Sequence, residues 1–196
     1  SKMLPTFLRW AYALRAPAIR ATGTIESWQD VPSEHVGARH VDVWLPPSYG
    51  RDPQRRYPVL YMHDGQNLFD PALGYTGVDW DIDRAPVKTE IVSSGIEGRP
   101  IGRAEDIRSD EYLRFLVEEL KPFVDARYRT LPGGDDTSVM GSSMGGLISL
   151  YALTKYPQAF GGAGAVSTHW PACDGCVVDW LSSALPAPGQ HRLYFD

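Results

Sequence analysis

Cysteine is nearly absent from this chain: two in 196 residues exclude a scaffold built on disulfides. No stretch reaches the ~18 uncharged apolar residues that a membrane-spanning helix requires, so no membrane partner is expected. The apolar segment from Leu4 to Ile19 is interrupted by Arg9 and Arg15, charges that a secretory hydrophobic region would not carry mid-run. It reads as a short amphipathic lead-in, and the expected location is cytoplasmic. A surplus of basic residues is missing too. Nineteen Lys plus Arg stand against 24 Asp plus Glu, a formal net charge of −5, whereas a nucleic-acid binder would show a basic stripe. No internal repeat or low-complexity tract is present. What remains is an ordinary globular composition, 43% hydrophobic and 22% charged, at a length that suits one domain.

The hydrophobic pattern alternates between two periods. Thr22 to Trp28 and Ala38 to Leu45 are β-rich, separated by a turn at Pro32-Ser33, and read as an antiparallel pair. Pro58 to Met62 is a short continuous apolar run, the pattern of a strand buried on both faces. From Ser109 to Val124, Tyr112, Leu113, Leu116, Leu120 and Phe123 recur at helical spacing. Asp136 to Met140, Phe160 to Val166 and Arg192 to Phe195 read as strands; Leu147 to Tyr156 and Asp179 to Ala184 read as helices. Strands alternating with helices predict a mostly parallel sheet between helical layers, with the first hairpin antiparallel at one edge.

The strongest chemical signal is Gly141-Ser142-Ser143-Met144-Gly145, a Gly-x-Ser-x-Gly with a strand before it and a helix after it. A serine lifted onto so tight a strand-to-helix turn stands above the sheet in a strained backbone conformation. Side chains two positions either side would strike neighbouring backbone, hence the glycines. The helix that starts beneath the serine directs its N-terminal N–H groups and dipole at the charge developing on an attacked carbonyl. Ser143 is therefore the candidate nucleophile, with the Met144 N–H as oxyanion donor. Ser142 lacks glycines at both spacings. A phosphate-binding loop is excluded because Leu147 and Ile148 stand where Lys and Ser/Thr are required. The loop His63-Asp64-Gly65-Gln66-Asn67 follows the earlier buried strand, where a second oxyanion donor is expected, and Gln66 is the candidate.

Val59 to Asp70, Gly77-Val78-Asp79-Trp80, Phe115 to Asp125 and Gly141 to Gly146 together resemble the Putative esterase family, the esterase D and enterochelin-esterase-like branch of the α/β-hydrolases. The resemblance runs from about Gly23 to Trp170. It implies an α/β-hydrolase three-layer sandwich and acyl-ester hydrolysis by a serine–acid–histidine triad without a cofactor, on a small-molecule ester. Some relatives are acyltransferases with a similar site.

Two departures from the family pattern matter. After Ile91-Val92 the chain reads Ser93-Ser94-Gly95-Ile96-Glu97-Gly98-Arg99-Pro100 in place of a longer buried strand and its loop. In this fold the acid and then the histidine follow the serine on later strands. Here the chain reaches only Asp196, so the expectation is a single domain over residues 1–196 that lacks the last strand and its histidine. His169, just past a strand end, is the candidate imidazole, set against its reading as a loop histidine that lines the cleft or simply faces solvent. Asp196 is the candidate acid. His191 precedes a strand and belongs at the opposite edge.

Other features are set aside or left open. Cys173 and Cys176 form a lone C-x-x-C without further zinc ligands, read as a local disulfide or two loop thiols. Asp79, Asp81 and Asp83 lack the Gly and Glu of a calcium loop. Trp80, Trp170 and Tyr75 could line an aromatic pocket or simply pack. The expected activity is carboxylic ester hydrolysis through an acyl-enzyme; the rivals are acyl transfer at the same site and a catalytically silent binding domain.

Overall fold

A computed structural model of the chain describes residues 22–69, 77–78, 80, 82, 90–94 and 108–196, with the backbone alone at 90–94 and 173. The lead-in before residue 22, Tyr75, the aspartates at 79, 81 and 83, and residues 95–100 lie outside the described residues.

The described strands are β1 (Thr24–Val31), β2 (Arg39–Leu45), β3 (Val59–His63), β4 (Glu90–Ser94), β5 (Thr137–Ser142), β6 (Gly162–Val166) and β7 (Arg192–Phe195). They form one sheet in the order β1-β2-β4-β3-β5-β6-β7. β1 and β2 pair antiparallel, as do β2 and β4, and every later pairing is parallel. This is the mostly parallel sheet with an antiparallel edge hairpin that the alternating pattern predicts, and the α/β-hydrolase arrangement that the resemblance implies. The parallel half needs crossovers, and among the described residues helices follow β4, β5 and β6 to supply them.

The period of two along the strands sorts side chains onto two faces. On one face Val43, Val59, Tyr61 and Val139 join Leu113, Phe115, Leu116, Leu120, Leu150 and Leu153 in the main core. On the other, Trp44, Met62, Leu68 and Phe69 form a second cluster, with Leu60 and Met140 packed against it. β3 is thus buried on both sides, which accounts for its unbroken apolar run.

The helix predicted over 109–124 runs on to Arg127 as α1 (Ser109–Arg114), a wide π segment (Phe115–Leu120) and α2 (Lys121–Arg127). The wide turns end just before Pro122, which has no N–H to donate to the turn above it. Helix α3 (Met144–Lys155) starts three residues earlier than the apolar spacing predicts, and α4 (Cys176–Ala184) likewise. Cys176 is disulfide-bonded. Strand β7 pairs with β6 and leaves Leu193, Tyr194 and Phe195 exposed. No helix among the described residues is long and apolar enough to cross a membrane.

Candidate active site

β5 delivers the chain to the turn, and Ser143 makes it. Its φ of 56° and ψ of −115° lie where a residue with a Cβ is strained, at a cost of ~1–3 kcal/mol. Main-chain hydrogen bonds hold it there. The Ser143 N–H donates to Val166 O at 3.0 Å, and the Ser143 carbonyl accepts from Gly146 at 3.1 Å and from His169 at 3.3 Å. The serine itself is exposed.

The glycines are dictated by contact. A Cβ on Gly141 would lie 2.8 Å from both the Cα and the carbonyl carbon of Gly145, so strand and helix touch backbone to backbone. A Cβ on Gly145 would lie 3.3 Å from His63 Cβ and 3.6 Å from Asp64 Oδ2. One on Gly146 would press within 2.4 Å of Thr168 Oγ1. The elbow is thus wedged between the end of β3 on one side and the loop after β6 on the other. Met144 carries the first amide of α3, a position with no intrahelical acceptor.

The loop after β3 turns sharply. Asp64 adopts the left-handed conformation, φ 58° and ψ 49°, and Gly65–Asn67 winds into a single 3-10 turn. Asn67 N–H donates to Asp64 O at 2.9 Å, and Trp80 N–H donates to Asn67 O at 2.9 Å. Burial pushes the Asp64 carboxyl above the usual carboxylate range, and a hydrogen bond from the Gln66 side chain partly offsets this. The Gln66 side-chain oxygen is buried without a partner among the described residues. The loop bearing Gln66 therefore lies beside the helix start that bears Met144.

On the other flank, Ser167 has a φ of 42° and its N–H donates to the Asp196 carboxylate. Asp196 is thereby held at the strand ends on Ser167, which stands two positions before His169 in the chain. His169 is exposed. Among the described residues no side chain is hydrogen-bonded to Ser143 Oγ. His191 sits far from this edge, its ring nitrogen 2.9 Å from Pro157 O in a polar hollow lined by Asp135, Gly161 and Arg192. No group of three or more His, Cys, Asp or Glu among the described residues could hold a metal ion.

The sequence reading assigned no separate role to His63. Its side chain is 1% exposed and its Nδ1 lies 2.8 Å from the Tyr112 hydroxyl. Burial pushes the imidazole down to about 4, so it is neutral near pH 7. In the unfolded chain it titrates near the ordinary value of about 6.5. Between those values the unfolded state binds more protons, so stability falls as pH drops from about 6.5 to 4, by about 3 kcal/mol in all. Asp64, raised from 3.8, works in the opposite sense at the acid end of this window. Urea midpoints measured across the window in the natural chain and in His63→Asn isolate the histidine: the variant should lose most of the slope.

The sequence profile of the Putative esterase family matches residues 34–186. A Bacillus subtilis relative described as uncharacterized protein YbbA is 30% identical over 178 residues, covering 83% of this chain and 69% of that protein. The Mycobacterium tuberculosis esterase Rv1288 is 32% identical over 165 residues, covering 79% of this chain and 35% of that one. Among solved structures, an IroE-like serine hydrolase from Shewanella oneidensis superposes with a TM-score of 0.66 at 20% identity, over 88% of this chain and 59% of that one. The chain spans between about a third and two thirds of the length of these proteins. With an elbow built on close glycine contacts, a strand order of this kind and a profile match over most of its length, the chain belongs to the Putative esterase family.

Proposed function

We propose that this chain is a carboxylic ester hydrolase in which Ser143 is the nucleophile. The observation that carries the reading is the serine itself: exposed, strained, and fixed at the start of α3 by main-chain bonds to Val166, His169 and its own helix. A structure does not hold a residue in so costly a conformation unless its surroundings over-determine it, and such residues cluster at reacting sites.

In this reading Ser143 Oγ attacks the carbonyl carbon of an acyl ester as its proton passes to His169. The tetrahedral oxyanion accepts hydrogen bonds from the Met144 and Gln66 amides. The C–O bond to the alcohol then breaks, the alcohol leaves with the proton held by the imidazole, and water repeats the sequence on the acyl-enzyme. Asp196, tethered to the Ser167 amide, is the carboxylate that orients the imidazole and stabilises the imidazolium formed when it takes the serine proton. His169 is supported by its place in the chain, since its own N–H is bonded to the Ser143 carbonyl. The substrate is a small-molecule acyl ester, and the chemistry requires no cofactor.

Stopped-flow release of p-nitrophenol from a short-chain p-nitrophenyl ester tests this. A burst approaching one equivalent per chain, followed by a slower steady rate, is expected. Added alcohol should leave free acid as the main product; its capture of most of the acyl group would make the chain a transferase. Linear release at the rate of buffer alone would contradict the reading.

A further inference from the structure

We infer that His63 and Tyr112 form a buried brace that sets the distance between the two oxyanion donors, which makes them positioning residues of the site; this rests on the proposed hydrolase reading. The two residues come from different parts of the chain, 49 positions apart, and meet inside the protein. His63 is the last residue of β3, and the turn to Gln66 begins at the next position. Tyr112 lies in the first turns of α1, is 6% exposed and packs at 6.3 Å between ring centroids against Phe115 of the main core. The tilted rings of His63 and Tyr112 are 5.6 Å apart.

The other side of the His63 ring faces the elbow. A Cβ built on Gly145 would meet His63 Cβ at 3.3 Å and Cδ2 at 3.8 Å. One imidazole therefore touches the helix start that carries Met144, and its backbone opens the loop that carries Gln66. Protein interiors are packed densely enough to pass on small displacements. A donor shifted by about 1 Å loses much of its value to an oxyanion.

His63 is not a rival to His169 as the base. Its ring is enclosed, its Nδ1 is engaged by Tyr112, and its Nε2 is buried without a hydrogen-bond partner among the described residues. Ser143, by contrast, is exposed. The groups facing the imidazole are the Tyr112 hydroxyl from α1 and the backbone of Gly145 from α3, with the half-buried Asp64 carboxyl next along its own chain. A neutral ring in that company holds position and places no positive charge beneath the elbow.

Tyr112→Phe keeps the ring and removes the hydroxyl. With a p-nitrophenyl ester the expected result is a fall in kcat of about 10-fold, with KM within about twofold and a melting temperature lowered by several degrees, since the buried Nδ1 loses its partner. The decisive comparison uses the matching thionoester, whose sulfur accepts hydrogen bonds poorly. There the deficit of the variant relative to the natural chain should shrink toward unity, which a general loosening of the fold would not produce. His63→Asn, which retains a polar atom near the Nδ1 position, should keep more activity than His63→Leu and serves as the second probe if Tyr112→Phe does not fold. Equal kcat in the natural chain and the variants, or an equal deficit on ester and thionoester, overturns the brace. Absence of any Ser143-dependent release from the natural chain overturns the hydrolase reading and the brace with it.

Discussion

Ser143→Ala should lower kcat on a p-nitrophenyl ester by about 10³-fold or more and erase the burst, while leaving the melting temperature within a degree or two. The size follows from the role: without Oγ there is no acyl-enzyme, and only the oxyanion donors and substrate binding remain to act on water. The unchanged stability follows from the backbone. Alanine has the same Cβ at φ 56° and ψ −115°, so the strain of the elbow stays in place. Ser143→Gly should be equally inactive yet more stable than Ser143→Ala by about 1 kcal/mol, because glycine occupies this region without steric penalty. Steady-state rates and urea midpoints on the three proteins separate chemistry from strain. If Ser143→Ala retained most of the burst, the nucleophile would be elsewhere.

Gly141→Ala should damage both fold and activity, although residue 141 touches no substrate. The added methyl would meet the Gly145 Cα and carbonyl carbon at 2.8 Å and its oxygen at 2.9 Å, all of them backbone atoms without a rotamer to yield. β5 and α3 must separate, at about 1–3 kcal/mol for a forced methyl in a packed region. Movement of the helix start relative to the Gln66 loop should cost about 10²-fold in kcat as well. Gly37→Ala is the control: nothing lies within 4 Å of a Cβ there, and neither stability nor rate should change measurably. A fully active Gly141→Ala protein would show that the elbow tolerates slack and would weaken the case that its geometry is catalytic.

The main lines of the fold were legible because they rest on local periodicity. The unbroken run Val59 to Met62 predicted a doubly buried strand, and the structure fills both of its faces. The glycines at 141 and 145 could be read because their reason, close approach of strand to helix, lies within five residues. Other features depended on contacts that spacing does not carry. Ser93 and Ser94 looked like the end of a strand, yet β4 continues through them, paired to Asp42 and Val41 on one side and Met62 and His63 on the other. The ladder bonds are main-chain bonds, and a polar side chain does not interrupt them.

The apolar pattern of helix α3 becomes visible only at Leu147, because Gly145 and Gly146 carry no side chain to show it. They are there for lack of bulk: Thr168 and His63 press where side chains would be. The part played by His63 was hidden for the same reason. A histidine ending a buried strand is visible in sequence, but its partner Tyr112 looks like one more apolar position on a helix, 49 residues on. Asp196 was placed at a strand end by counting, and its carboxylate does lie there, on the Ser167 amide. Counting alone could not supply that bond.

Exposure of the natural chain to a fluorophosphonate, followed by digestion and mass spectrometry, tests the central claim most directly, because only an activated hydroxyl forms the adduct. The account predicts stoichiometric label on the peptide that contains Ser143, competition by a short-chain ester, and no label in Ser143→Ala. An unlabelled chain that is folded by its melting transition, or label carried by Ser142 or any other serine, would contradict it.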